Sequence, residues 1–200
     1  LVDVNLAVGS IFGFYRGNSF IGQKGKDQVA AMVVIYGPRL TMMLSIGQGV
    51  AEFRYDPKKK DFSSVGTEHC SVPTDETKKM FAPGNLKACN SEKWYLGLLE
   101  YWVKNGYTLR YSGGMAPDVN QILKKGGGIF TYPGSKEMPD GKLRLLFECA
   151  PVAFLMEQAG GTASTGHERI LDIIVKKTDQ RTPIFAGSKK EVEIALKYFK

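Results

Sequence analysis

The chain has 200 residues, a net charge of +7, 43% hydrophobic and 24% charged residues. This is ample length for a core and an ordinary composition for a soluble globular chain. No apolar run approaches the ~18 residues needed to span a membrane. Cys70, Cys89 and Cys149 are odd in number and widely spaced, which argues for reduced thiols in an intracellular setting, and with His69 and His167 as the only histidines a structural zinc site is not expected.

In chain order, residues 3–15 cluster Val, Leu, Ile and Phe around Gly9 and Gly13 and read as a long strand. The opening residues carry no signal-peptide pattern and read as the middle of a fold, with a segment expected upstream. A turn at Arg16, Gly17, Asn18 and Ser19 precedes a short helix expected over 29–36, closed by Gly37 and Pro38. Strands are expected over 39–46 and 50–55, joined through Gly47, Gln48 and Gly49. The polar stretch 56–80 is expected to wander at a sheet edge, with Lys58, Lys59 and Lys60 as a solvated hairpin tip.

Residues 81–85 read as a turn cluster whose backbone amides could meet an anion. Ser91 is the expected N-cap of an amphipathic helix through Lys104 that buries Trp94, Leu98, Tyr101 and Trp102, and Asn105 and Gly106 stop it. A strand over 107–111, a loop over 112–114, a helix over 118–125, a glycine break and a strand over 129–132 follow. Toward the end come a strand over 161–164, an irregular apolar segment over 170–175, a buried strand over 183–186 and a helix capped by Ser188. The alternation fits a layered α/β domain, and no domain boundary shows itself.

The stretch GKLRLLFECAPVAFLMEQAGG, residues 141–161, carries the clearest chemistry. Extended, it places Lys142 and Arg144 on one face and Leu143 and Leu145 on the other. Pro151 belongs in a first helical turn, so a helix should begin near Glu148 or Cys149 and stop at Gly160 or Gly161. A carboxylate there, with two cations upstream, suits a site for a metal and a phosphate; a plain ion pair is the alternative reading. Arg110, Tyr111 and Tyr132 fall at strand ends, where ligands collect in α/β sheets, and cations with hydroxyls suit an anion. Spacing gives no P-loop, no dinucleotide fingerprint, no nucleophile elbow and no reaction. The basic balance allows nucleic acid as an alternative partner, but aromatic and basic residues do not interleave on any one strand, so no nucleic acid and no membrane partner is expected.

Taken together, the 141–151 and 156–161 segments, VGSIFGFYR (8–16) and GIFTYP (128–133) resemble class 1 fructose-1,6-bisphosphatases. DQVAA (27–31), IYGPR (35–39), FAPGNL (81–86) and YTLRYSGGMAPDVNQI (107–122) are closer to the sister sedoheptulose-1,7-bisphosphatases. The resemblance is collinear over nearly the whole chain and weakest over 56–80. It implies a layered α/β sandwich of the sugar-phosphatase type, a mixed sheet with flanking helices. Residues 1–200 would be the C-terminal part of such an enzyme, with the N-terminal portion absent. The implied activity is hydrolysis of the C1 phosphate of sedoheptulose 1,7-bisphosphate, with fructose 1,6-bisphosphate as the alternative substrate. The implied cofactor is Mg2+, with Mn2+ or Zn2+ as alternatives.

By the same resemblance Glu148 is the catalytic metal ligand. Lys142 would approach the sugar or its phosphates, and Arg144 the phosphate leaving C1. Tyr111 and Tyr132 would bind the distal phosphate, Met115 the sugar chain, and Asn85 the substrate. Arg110 would reach the distal phosphate of a neighbouring subunit in a homodimer or homotetramer. The family's Asp-Pro-Leu-Asp-Gly-Ser metal motif is expected before Leu1, so these residues would hold one wall of the metal site. The implied compartment is the cytoplasm, with the plastid stroma as alternative.

Overall fold

A computed structural model describes residues 7–65, 70–72 and 78–199. Among them are two five-stranded sheets. The first is an antiparallel meander of β1 (Val8–Tyr15), β2 (Gln28–Tyr36), β3 (Thr41–Ser45), β4 (Ala51–Asp56) and β5 (Asp61–Ser64), in that order. The second is mixed. Its strands are β6 (Met80–Pro83), β7 (Thr108–Leu109), β8 (Ile129–Tyr132), β9 (Thr162–Ser164) and β10 (Ile184–Gly187), in the order β7-β6-β8-β10-β9. Four α-helices complete the fold: α1 (Lys93–Lys104), α2 (Met115–Lys125), α3 (Ala150–Gln158) and α4 (Lys189–Tyr198). The mixed sheet with flanking helices agrees with the expected class; the separate antiparallel sheet and its own face were not legible as a distinct unit.

Alternation within the second sheet sets the layers. Met80, Ala82, Phe130, Ile184 and Ala186 join one core with α2, α3 and the first sheet, while Phe81, Ile129 and Phe185 join another with α1 and α4. Successive side chains of a strand face opposite ways, so a sheet covered on both sides reads as continuously apolar. The helix α3 packs against β1, β2 and β3 on one side and β9 and β10 on the other. Its nearly uniform hydrophobicity follows: residues 150–156 are all buried. Polar ties also cross the layers, among them those from Lys124 of α2 to the buried Glu52 of β4 and from Gln28 of β2 to the Ala150 carbonyl of α3.

Several sequence expectations change. Residues 28–36 form a strand, not a helix, because β-branched Val29, Val33, Val34 and Ile35 suit the pleat and the segment pairs with β1 and β3 on both sides. Residues 3–6 of the expected first strand lie outside the described residues. Residues 80–83 form a buried strand in place of the expected turn cluster: neighbours on both flanks override the Pro83-Gly84 signal, and Gly84 continues the ladder by donating to the Thr131 carbonyl at 2.7 Å. The N-cap of α1 is Glu92, and Ser91 instead donates to the Glu92 carboxylate. The helix α2 begins at Met115, three residues early, with Pro117 tolerated in its first turn. The Lys58–Lys60 tip is exposed as expected, with Asp56 accepting the Lys58 and Lys59 amides. All three cysteines are unpaired.

Candidate active site

Strands β6, β7 and β8 are parallel, so their C-terminal ends share one edge of the second sheet. A cavity of about 830 Å³ opens there. Gly84 and Asn85 follow β6, Tyr111 follows β7, Tyr132 ends β8, and Met115 and Asp118 come from the first turn of α2. The 142–148 segment closes the remaining side with Lys142, Arg144 and Glu148. The structure thus brings Asn85, Tyr111, Met115, Tyr132, Lys142, Arg144 and Glu148 around one space. Arg110 does not line it; its guanidinium donates to the Leu109 carbonyl at 3.2 Å beside the edge strand β7.

Glu148 does not sit at a simple strand-to-helix junction. Arg144 forms an isolated bridge with Arg181, and Leu145–Cys149 then makes one π-helical turn before α3. The wide turn suits the sequence, since Pro151 in the first turn of α3 has no N–H to give to the preceding carbonyls. It also folds Glu148 back on Arg144. One carboxylate oxygen accepts the Arg144 backbone N–H at 2.8 Å and its Nε–H at 3.1 Å. The ion pair considered as an alternative from sequence is therefore present. It remains within the cavity, with Arg144 about half exposed and its guanidinium 5.7 Å from the Phe147 ring centroid.

Other groups have their own ties. The Asn85 amide, on a residue with a left-handed backbone (φ 49°), donates to the Pro133 carbonyl at 2.8 Å, so one of its two N–H donors is engaged in joining two strand ends. Burial and the neighbouring Tyr111 and Glu148 push the Tyr132 phenol pKa up, keeping it a neutral hydrogen-bond donor. Asp118 is buried; one oxygen accepts the Ser112 amide at 2.9 Å and the other has no partner among the described residues. Desolvation raises its pKa, against the lowering effect of Ser112.

That shift has a sign. With its folded pKa above the ordinary value near ~3.9, Asp118 holds its proton longer in the folded chain than in the unfolded one. Its contribution to stability is present below the ordinary value and is lost as pH rises through the raised one. Asp118→Asn is therefore expected to flatten this part of the stability profile, upward from about pH 4. Urea midpoints at a series of pH values check it, and identical profiles for the two proteins would count against the assignment.

Sequence reasoning missed Asp118, Lys87, Met138 and Arg181, which also line the cavity. Arg181 carried no local signal, because only the bridge to Arg144 brings it across from a distant segment. Lys87, Lys142, Arg144 and Arg181 face Glu148 and Asp118, a cationic balance suited to a phosphorylated ligand. A divalent cation fits less well: among the described residues no group of three or more His, Cys, Asp or Glu side chains converges. Magnesium takes one or two carboxylates with waters and phosphate oxygens. Glu148 offers one such carboxylate, but its paired oxygen already serves Arg144, so these residues do not by themselves make a metal site.

Two family models match consecutive parts of the chain: the fructose-1-6-bisphosphatase N-terminal domain over residues 1–67 and its C-terminal domain over residues 74–200. The chain is 45% identical over 197 residues to the class 1 fructose-1,6-bisphosphatase of Syntrophotalea carbinolica, covering 98% of this chain and 59% of that protein. It is 45% identical over 195 residues to the chloroplastic sedoheptulose-1,7-bisphosphatase of Spinacia oleracea, covering 96% of this chain and 49% of that protein. The chain thus spans roughly half to three-fifths of these relatives' length. The crystal structure of Leishmania major fructose-1,6-bisphosphatase in holo form superposes with a TM-score of 0.88 at 34% identity, over 98% of this chain and 64% of that one. By sequence along its length and by the arrangement of both sheets, the chain belongs to the fructose-1,6-bisphosphatase family.

Proposed function

We propose that the protein hydrolyses the C1 phosphate of a sugar bisphosphate. The observation that carries this reading is the convergence of Tyr111, Met115, Tyr132, Lys142, Arg144 and Glu148 on one cationic cavity in a chain of this family. Phosphate monoesters are among the slowest compounds to hydrolyse in water, so the enzyme must offset phosphate charge and orient the attacking water. Lys142 and Arg144 supply positive charge on one wall. Tyr111 and Tyr132 supply hydroxyl donors on the other, where they suit the distal phosphate, and Met115 offers an apolar surface to the carbon chain. Arg110, exposed beside the β7 edge, suits a contact to the distal phosphate of a neighbouring subunit. When bound, magnesium would supply charge neutralisation and an activated water; Glu148 is the residue here that would contribute a ligand to it.

Fructose 1,6-bisphosphate is the better-supported substrate, because the relatives similar to this chain are mostly named fructose-1,6-bisphosphatase. This reverses the order expected from the 107–122 motif. Sedoheptulose 1,7-bisphosphate is the second reading, favoured by that motif and by the likeness to the spinach enzyme. Phosphate release from both sugars with magnesium tests the proposal. Release from the six-carbon sugar with the higher kcat/KM is expected, a preference for the seven-carbon sugar would restore the other order, and release from neither would overturn the reading.

A further inference from the structure

Tyr132 projects from β8 into the cavity, and the residue before it, Thr131, projects to the other face of the sheet and is wholly buried. There it meets Tyr95 of α1, also wholly buried. The Tyr95 hydroxyl donates to the Gly84 carbonyl at 2.7 Å and shares a hydrogen bond of 3.0 Å with the Thr131 hydroxyl. With the Tyr95 proton committed to Gly84, Thr131 is the donor in the second bond. The phenol therefore clasps the end of β6 and the end of β8 together from behind the cavity. Gly84 leaves no slack in this clasp: a Cβ there would lie 2.5 Å from the Tyr132 ring and 2.9 Å from the Thr131 carbonyl oxygen. The Gly84 main chain is flush against the ring that forms the wall.

We infer that Tyr95 is a positioning residue for the Tyr132 wall, setting where that phenol stands for a phosphorylated sugar without touching the ligand itself. The inference rests on the sugar-phosphate reading of the cavity. A phenylalanine would fill the same volume against Trp94, whose ring lies 5.4 Å from that of Tyr95, so packing alone does not call for the hydroxyl. The hydroxyl instead joins two strands at the point where both enter the site. Removing it frees the Gly84 carbonyl to move, and any such movement is transmitted to Tyr132 through direct contact.

The test uses Tyr95→Phe and the double variant Tyr95→Phe with Thr131→Val. Fructose 6-phosphate binding is measured by calorimetry, exchange of the Gly84 amide by NMR, and stability by thermal melting. The single variant is expected to bind fructose 6-phosphate about tenfold more weakly and to exchange the Gly84 amide at least about tenfold faster, with a lowered melting temperature. The double variant no longer strands the Thr131 hydroxyl, so part of the lost melting temperature returns, while the Gly84 carbonyl still lacks its donor and the weak binding and fast exchange persist. Recovery of binding together with stability would reduce Tyr95 to a packing residue and overturn the inference, as would wild-type affinity in the single variant. If the unmodified protein gives no binding heat with fructose 6-phosphate, the sugar-phosphate reading fails. Gly84 exchange then decides the clasp separately: faster exchange in Tyr95→Phe supports it, and an unchanged rate overturns it.

Discussion

Glu148→Gln is expected to lower kcat/KM for sugar bisphosphate hydrolysis by about a thousandfold, equivalent to roughly 4 kcal/mol of transition-state stabilisation, while leaving the fold almost untouched. The two halves of this expectation have different causes. The structural role of Glu148 is to accept the backbone N–H and Nε–H of Arg144 at the entrance to the π turn. A glutamine carbonyl has the same shape and can accept the backbone N–H, and the ion pair is partly solvated, with 52% of the Arg144 side chain and 23% of that of Glu148 exposed. Its loss should therefore cost about 1 kcal/mol or less. The chemical role assigned to Glu148 depends on its negative charge, which the amide lacks. Steady-state phosphate release together with a urea titration separates the two. Full activity would remove Glu148 from the catalytic machinery, and a large fall in stability would make the carboxylate chiefly a structural cap.

Much of this site was readable in the chain because its parts are local. Lys142 and Arg144 lie two apart and both line the cavity, although the chain bends at 142 and 143 and Leu143 lines it as well, and Gly160 ends the following helix region with a left-handed backbone (φ 95°). Strand ends likewise marked Tyr111 and Tyr132 before any pairing was known. What escaped was information held between distant segments. Arg181 reaches the cavity only because its strand-like segment bridges Arg144. Asp118 reads as an ordinary first-turn acid until burial and the Ser112 amide give it a role.

The strand β2 shows the same limit at the level of fold. The apolar run 29–36 suits a short helix or a buried strand equally well by periodicity alone, and the decision is made by β1 and β3, which supply partners on either side. The buried strand β6 was hidden for a related reason. Pro83, Gly84 and Asn85 are turn residues by local chemistry, yet the chain turns only after Pro83 has completed its place opposite Thr131. Local signals located the corner correctly and misplaced the strand leading into it. That strand end is where the cavity wall begins, so the error and the site share one cause: a sheet interior ending abruptly in a ligand-facing turn.

Gly187→Ala is expected to have the converse effect of Glu148→Gln, removing about 3 kcal/mol of stability without touching the cavity. Gly187 ends the inner strand β10 and pairs with Ile129 on one side and Thr162 on the other. An added Cβ would overlap the Gly128 carbonyl oxygen and stand 2.8 Å from the Ile129 Cα. Both are main-chain atoms of the neighbouring strand region, so no rotamer change relieves the clash; β8 and β10 must separate. A domain of this size is stable by roughly 5–15 kcal/mol, so the loss is a large fraction of the total. The site lies at the other end of the same pairing, where Ile184 faces Tyr132, and the protein that does fold should bind fructose 6-phosphate normally. Gly37→Ala is the control: its added Cβ would have its nearest neighbour at 3.9 Å, and a change within about 0.5 kcal/mol is expected. Urea midpoints for the two variants make the comparison. Equal midpoints would show that the β8–β10 approach has slack that the geometry denies, whereas a stable Gly187→Ala protein with weakened binding would mean that strain at one end of the sheet is passed along β8 to the Tyr132 wall.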